Sequence, residues 1–151
     1  MHTNIHAAGD MRRVAAEIVT RSAAIVGLAG IALIHLLDSI SKFHETPYMG
    51  WLYVGLMISC LAVAATLVRA NAREAWLAAV ALPAGAIAGF VLTRTTGLPQ
   101  ATGDIGNWSE PLGLAALFVE GTVIAVSVHA LAALRPAPLL GREGALRART
   151  A

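Results

Sequence analysis

The sequence predicts an all-α membrane protein, a transmembrane antiparallel four-helix bundle that forms one domain over residues 1–151. Hydrophobic residues make up 57% of the chain and charged residues only 13%, whereas soluble domains carry about 25% charged residues. Four apolar stretches each approach the roughly 20 residues that cross a bilayer as a helix. They lie at about 22–40, 48–68, 75–93 and 111–134. Because the connections between them are short, an up-down arrangement is expected.

The first span is predicted to remain in the mature protein. It is longer than the apolar core of a signal peptide, and the polar IHLLDSISKF follows it where a signal peptide has a small-x-small cleavage site. The preceding RRVAAEIVTR can extend this helix towards the N-terminus. Residues 136–151 show no helical periodicity, so we expect a flexible basic tail there.

The second and fourth spans each begin with a proline. Pro47 and Pro111 stand in the first turn of their helices, where a backbone N–H has no intrahelical partner and its absence costs nothing. Ser109 or Glu110 can cap the fourth helix, because an oxygen side chain just before a helix accepts bonds from its first N–H groups.

Small residues predict how the third and fourth spans pack. In the third span Ala81, Gly85 and Gly89 recur every four residues, a small-xxx-small stripe that favours close contact between membrane helices. Pro83 predicts a bend in the same span. The fourth span has a comparable face, formed by Gly113, Ala116, Glu120, Val123 and Ser127.

Positive charge is distributed unevenly between the two sides of the predicted bundle. Of the 11 Lys and Arg residues, only Lys42 and Arg94 follow the first and third spans. The others lie at the opposite side, at Arg12, Arg13, Arg21, Arg69, Arg73, Arg135, Arg142, Arg147 and Arg149. By the positive-inside rule both termini are cytoplasmic and the connections at 41–47 and 94–110 face outward. The expected location is a bacterial inner membrane.

Tryptophan and tyrosine residues lie near the predicted membrane boundaries. Trp51, Tyr53 and Trp108 are close to the outer boundary, and Trp76 is close to the inner one. Amphipathic aromatic rings favour the level of the lipid headgroups. We therefore interpret all four as an aromatic belt.

Several classes of function are excluded by the composition. The arginines flank apolar spans and do not form one basic patch, so nucleic acid is not an expected partner. The single cysteine, Cys60, allows neither an intramolecular disulfide nor a cysteine metal site. Ser109 and Ser127 lack His and acidic partners at matching depth, so no hydrolase is indicated. The expected partners are the lipid bilayer and, through small-residue faces, other membrane subunits or a second copy of the chain.

Glu120 is the most informative single residue. It lies about ten residues into the fourth span, roughly 15 Å deep at 1.5 Å per residue. A carboxylate at that depth costs several kcal/mol unless it is neutral, paired or hydrated. Because Glu120 lies on the small-residue face, it is expected to point into the bundle. Two roles stay open: a site for a proton or a cation, or a protonated carboxyl that hydrogen-bonds a neighbouring helix.

A second group of ionisable residues ends the first span. His35 and Asp38 are three residues apart and share a helix face, Lys42 can pair with Asp38, and His44 and Glu45 follow. Imidazole and carboxylate ligands suit zinc, copper or nickel. His35, Asp38 and His44 are therefore the candidate ligands of a divalent metal ion. No H-x-x-H or H-x-x-x-H spacing supports that site, and His35 alone can instead hydrogen-bond a neighbouring helix.

Arg94 opens the second outward connection, the loop RTTGLPQATGDIGNWSEPLG. Loops this long in a compact chain are often functional, and Ile105 and Trp108 are expected to fold this one as a lid over the outer mouth of the bundle. Arg94 is expected to join the outer connections and not to bind an anion. Its candidate acidic partners are Asp38, Glu45, Asp104 and Glu110.

Two outer stretches together resemble a known group of proteins. HLLDSISKFHETPYMGWLY, with its Pro-Tyr-x-Gly, and FVLTRTTGLPQATGDIGNWSEPLGLAALFVEG, with its Arg-Thr-x-Gly-Leu-Pro, resemble small four-span bacterial integral membrane proteins over roughly residues 30–122. That group has no established activity, so the resemblance implies the four-span fold and no catalytic residue. The chain is also similar to the DoxX-like proteins, in architecture and not in motif.

The leading interpretation is a multi-pass membrane protein with an outward-facing polar site that binds or conducts a small cation or proton. The candidate site residues are His35, Asp38, Glu45, Arg94, Glu110 and Glu120. Two alternatives stay open. One is an accessory or assembly subunit of a larger membrane complex; the other is a haem- or quinone-linked redox protein. His35 and His129 lie near opposite membrane faces, which argues against one haem held by both.

Overall fold

The structure is a computed structural model that describes the backbone of residues 2–134 and the side chains of residues 9–134. It contains four helices: α1 (His2–Glu45), α2 (Pro47–Arg69), α3 (Arg73–Thr95) and α4 (Pro111–Ala133). All four are long and apolar enough to cross a membrane. The predicted all-α four-helix membrane fold is thereby confirmed. The predicted tail at 136–151 lies outside the described residues.

The helices form a closed antiparallel ring. Each helix packs against the next one in the chain and α4 packs back against α1, whereas the diagonal pair α1 and α3 barely touches. Among neighbours, α2 and α3 make the sparsest contact. We call the end with the α1–α2 turn and the α3–α4 connection the loop end. The opposite end, with the α2–α3 link, is the terminal end.

The first helix is much longer than the span predicted for it. It runs without interruption for 44 residues, about 66 Å at 1.5 Å per residue, against a hydrocarbon core of about 30 Å. Since no glycine-proline pair or turn cluster separates RRVAAEIVTR from the apolar stretch, the helix continues through both. Its N-terminal part therefore extends beyond the bundle at the terminal end.

The middle of the bundle is filled by apolar side chains, which we call the central core. Its buried members are Ala24, Leu28, Ile31, Ala32, Cys60, Ala64, Leu67, Ala75, Trp76, Ala79, Val123 and Ala130. Trp76 is only 1% exposed, and its indole N–H donates to Asn71 Oδ1 at 2.5 Å. Its assignment to the lipid-facing aromatic belt is therefore wrong, because that hydrogen bond lets the indole enter the core.

Close helix approach occurs at Gly113 of the predicted α4 face, where a Cβ would collide with the Phe90 ring of α3, and at Gly27, which was not predicted. A Cβ on Gly27 of α1 would collide with the side chain of Val123 on α4, so only glycine allows this contact. Gly85 and Gly89 of α3, by contrast, would present a Cβ to open space, with no atom within 4 Å. The stripe on α3 thus does not mediate close packing. The predicted buried face of α4 is confirmed, since Ala116, Glu120, Val123 and Ser127 are all buried.

Candidate functional site

A cavity of about 540 Å³ opens between α2 and α3 in the loop-end half of the bundle. The small residues Ala81, Gly85 and Gly89 form its wall on α3, and Gly55 and Ser59 lie on α2. The small side chains at these positions leave space that larger side chains would fill. The cavity therefore explains why α2 and α3 make so little contact.

His35 and Glu120 meet at the deep end of the cavity. His35 Nε2 lies 3.7 Å from Glu120 Oε1, and their side chains are 9% and 2% exposed. His35 Nδ1 lies 2.9 Å from the carbonyl oxygen of Ile31. Since a carbonyl only accepts, Nδ1 carries a proton, and in the neutral imidazole the lone pair of Nε2 therefore faces the Glu120 carboxyl.

Glu120 Oε1 has no hydrogen-bond partner among the described residues. The 3.7 Å gap to His35 is too long for a hydrogen bond. A buried polar atom without a partner costs about 1–3 kcal/mol. The carboxyl at the cavity floor is therefore able to receive a proton or a ligand at little further desolvation cost.

The pair is surrounded by few other titratable groups. Asp38 of α1 and Tyr53 of α2 line the cavity nearby, and the Tyr53 ring stands edge-on to the His35 ring with centroids 4.8 Å apart. Cys60 of α2 is wholly buried in the adjoining central core. From α3 and the start of α4, the charged groups that face this cavity are Arg94 and Glu110 at its rim.

Five side chains link the helix ends at the loop end, and we call them the ion-pair chain. Lys42 Nζ lies 3.1 Å from Glu45 Oε2 and 3.2 Å from Asp104 Oδ2. Asp104 Oδ2 also lies 3.4 Å from Arg94 Nη1, and Arg94 Nη2 donates to Glu110 Oε2. The chain therefore ties α1, the α3–α4 connection, α3 and α4 together. Lys42 pairs with Glu45 and Asp104, so its predicted pairing with Asp38 is wrong.

Arg94 is held from several directions. Its Nε donates to the Asn107 carbonyl at 3.1 Å and its Nη1 to Thr93 Oγ1 at 2.8 Å. The guanidinium also lies 4.4 Å from the centroid of the Phe90 ring. With these partners and its two carboxylates, the charge of Arg94 is already matched within the protein and most of its five donors are occupied. Arg94 therefore bridges acidic residues, as expected, and its partners are Asp104 and Glu110.

The α3–α4 connection crosses the loop end to reach α2 and then returns. The Tyr48 hydroxyl donates to the Pro99 carbonyl at 2.7 Å, and Thr46 Oγ1 donates to the Gln100 carbonyl at 3.1 Å. Trp108 packs edge-on against Phe90, with centroids 6.1 Å apart. Only Leu98 and Glu110 of this segment line the cavity. The connection therefore braces the helix ends and covers the cavity at one edge.

The structure gathers most of the sequence-predicted site residues, but not all. His35, Asp38, Arg94, Glu110 and Glu120 all line the cavity. Glu45 is outside it and belongs to the ion-pair chain. The side chain of Glu110 also does not cap α4, because it accepts from Arg94 instead.

The candidate metal ligands are not assembled. His44 is exposed and lies apart from the cavity that His35 and Asp38 line. Across residues 9–134, no three His, Cys, Asp or Glu side chains come together in a group that could hold a metal ion. The α1 helix carries His35 and His44 on different faces, since nine residues are two and a half turns.

A second cavity, of about 430 Å³, lies at the terminal end. Arg13, Glu17 and Asn71 line it together with His129. His129 and His35 therefore lie in different cavities, with the central core between them. Among the described residues, buried His35 and exposed His129 are thus far apart, as the sequence positions predict, and a haem held by both does not fit.

Two features of the site were not identified from the sequence as parts of it. Tyr53 was assigned to the aromatic belt, although it packs on His35, and the glycine stripe of α3 was assigned to packing, although it lines the cavity. Neither pattern is specific by itself. Aromatic residues occur both in membrane-interface belts and in cavity walls, and small residues occur both in cavity walls and at helix contacts. Comparisons of the chain with protein-family models, curated proteins and solved structures found no match. A function for this site therefore rests on its own geometry.

Proposed function

We propose that this multi-pass membrane protein binds a proton reversibly at the His35–Glu120 pair, through a cavity that faces outward from a bacterial inner membrane. The observation that carries the proposal is the unpartnered, buried Glu120 Oε1, 3.7 Å from the free lone pair of His35.

The chemistry of the pair favours a single exchangeable proton. With the proton bound, the pair is either two neutral groups or an imidazolium beside a carboxylate; without it, only Glu120 is charged. A lone charged carboxylate near the bilayer centre costs about 2.5–3.5 kcal/mol on insertion scales. Gaining the proton neutralises the pair, either on Glu120 itself or by forming an imidazolium beside it, so proton uptake and stabilisation of the bundle are linked.

A proton fits the geometry better than an inorganic cation. Calcium takes six to eight oxygen ligands and magnesium about six, and the described residues contain no group of three carboxylate, imidazole or thiol side chains around one point. Access from the outer side follows from the charge distribution, which predicts that the loop end faces outward. An accessory role in a larger complex stays a prediction, and it is compatible with a proton site.

Infrared difference spectra of the protein in lipid nanodiscs, recorded as pH is lowered, test this proposal. We expect a protonated-carboxyl band that Glu120→Gln removes and that shifts in His35→Gln, because the imidazole is the nearest polar neighbour. Glu74→Gln is the matched control, since Glu74 is exposed in the first turn of α3. An identical carboxyl titration in wild type and Glu120→Gln contradicts the proposal.

A further inference from the structure

We propose that the loop-end cavity binds a lipophilic organic monocation, whose positive centre pairs with Glu120 in exchange for the proton. This inference deepens the proposed function, on which it rests for the exchange step, and it names the class of ligand. It is carried by four properties of the cavity: its size, its walls, its charge and its opening.

The size of the cavity exceeds what a proton needs. Small-molecule sites in proteins span about 300–1,000 Å³, and this cavity holds about 540 Å³. A bare proton occupies no such space, and a monatomic ion would leave most of it unfilled. The volume therefore matches an organic molecule with several rings or a comparable number of carbon atoms.

The walls are apolar on both sides. Trp51, Leu56 and Phe90 line the cavity together with the small residues of α3. Gly55 on α2 and Gly85 and Gly89 on α3 each have open space where a Cβ would point. A ligand with a polar surface would lose its hydration here without replacement, so the body of the ligand must itself be apolar.

The charge of the cavity favours a cation. At its rim Arg94 is matched by Glu110 and Asp104. Within the described part of the chain, neither Asp38 nor Glu120 has a Lys or Arg partner: Asp38 accepts from Ser41, and Glu120 lies beside His35. The lining thus carries surplus negative charge, and it includes the aromatic rings of Tyr53 and Trp51, a residue type to which cations are attracted.

The cavity lies in the loop-end half of the bundle and opens sideways between α2 and α3, towards lipid. Trp51 and Leu52 of α2 line the cavity and are 68% and 62% exposed, and the α2–α3 gap runs along the membrane-spanning part of both helices. A molecule that partitions into the membrane can therefore enter sideways. That route selects for lipophilic ligands, whereas a hydrophilic amine would have to pass beneath the α3–α4 connection.

Two ions of the same shape and opposite charge test the proposal without any mutation. Calorimetry on the detergent-purified protein is expected to show saturable binding of tetraphenylphosphonium and none of tetraphenylborate. Bound cation should release protons into a weakly buffered solution, because it displaces the Glu120 proton. Equal binding of the two ions, or stronger binding of the neutral quinone menadione than of the cation, overturns the proposal.

Two variants test whether the cation binds in the cavity. Glu120→Gln is expected to weaken tetraphenylphosphonium binding by about tenfold or more, which corresponds to roughly 1.4 kcal/mol. Gly85→Leu, which points into open space, should abolish binding by filling the cavity. Gly121→Leu is the matched control, because Gly121 also has no atom within 4 Å of an added Cβ but lies outside the cavity. Undiminished binding in Gly85→Leu overturns the proposal.

The proton site and the cation site fail separately. Selective cation binding with no titrating Glu120 carboxyl refutes the proton site and the exchange step, but not the cation site. A titrating Glu120 carboxyl with no preference for tetraphenylphosphonium over tetraphenylborate refutes the cation site alone.

Discussion

The loop-end half of the bundle contains a cavity, whereas the middle of the bundle is tightly packed. In the loop-end half glycines on α2 and α3 face a cavity of about 540 Å³. In the middle, Gly27 brings α1 against Val123 of α4 so closely that no Cβ fits between them. The same residue type therefore separates helices in one region and joins them in the other. The difference lies in what faces the glycine: open space in the loop-end half, and the Val123 side chain in the middle of the bundle.

Glu120 lies at the boundary between these two regions. Towards the loop end it meets His35 and the cavity; towards the terminal end the next residues on its face, Val123 and Ser127, are 1% and 0% exposed. An ionisable residue at such a boundary is reached from one side only. The predictions below test whether the two regions are as different as the structure describes.

The largest expected effect is all-or-none and concerns which side of the membrane reaches the cavity. Cys60 is wholly buried, so an introduced cysteine is the accessible thiol. We expect Thr102→Cys, at the loop end, to react with a membrane-impermeant maleimide in intact cells. Ala70→Cys, at the terminal end, should react only after the membrane is permeabilised. The reverse pattern would place the cavity on the cytoplasmic side and end the outward-facing interpretation.

The next largest effect is expected at Arg94, which holds the open half together. Arg94→Gln leaves Glu110, at 25% side-chain exposure, without a cation, and Asp104, at 21%, with Lys42 alone. Breaking a fully buried pair costs about 3–5 kcal/mol, so partial exposure suggests roughly 2–3 kcal/mol here. Thermal unfolding in detergent measures the loss. Arg73→Gln, an exposed control at the start of α3, should change the unfolding temperature little. An equal loss of stability in both variants would mean that the ion-pair chain has no special role in holding the loop end together.

A matched pair of glycine substitutions compares the two regions directly. Gly27→Leu forces a side chain into Val123, and overpacking of this kind costs about 1–3 kcal/mol. Gly85→Leu extends into open space and replaces a poor helix former, which is worth up to about 1 kcal/mol in a helix. We expect opposite signs in the unfolding temperature. If both variants are destabilised alike, the cavity is not open space in the folded protein.

The sequence was sufficient for the fold because its strongest signals are long and redundant. Four apolar stretches of spanning length and two prolines at helix starts predict the number, type and order of the helices, and Pro47 and Pro111 do begin α2 and α4. The burial of Glu120 followed from its place on a small-residue face. These inferences need only the period of one helix and the length of one span.

The partners across helices could not be read from the sequence. Lys42 lies four residues from Asp38 and three from Glu45, so spacing allows both pairings, and the position of Asp104 decides between them. The glycines of α3 are likewise compatible with a contact or a cavity until the distance to α2 is known. Each of these choices depends on the distance between residues that are far apart in the sequence, and no local sequence pattern encodes that distance.

The smallest expected effect concerns Ser127, the only other unpartnered buried side-chain polar atom that the described residues contain. Its hydroxyl is 0% exposed within the packed middle of the bundle. Removing an unsatisfied hydroxyl relieves its desolvation cost, so Ser127→Ala should be neutral or stabilising by up to about 1 kcal/mol. Thr122→Ala is the control, because the Thr122 hydroxyl donates to the Phe118 carbonyl at 2.8 Å on an exposed face. A clear loss of stability in Ser127→Ala alone would mean that water reaches Ser127. In that case a polar path would continue from Glu120 through the middle of the bundle, and the packed region would be a passage and not a barrier.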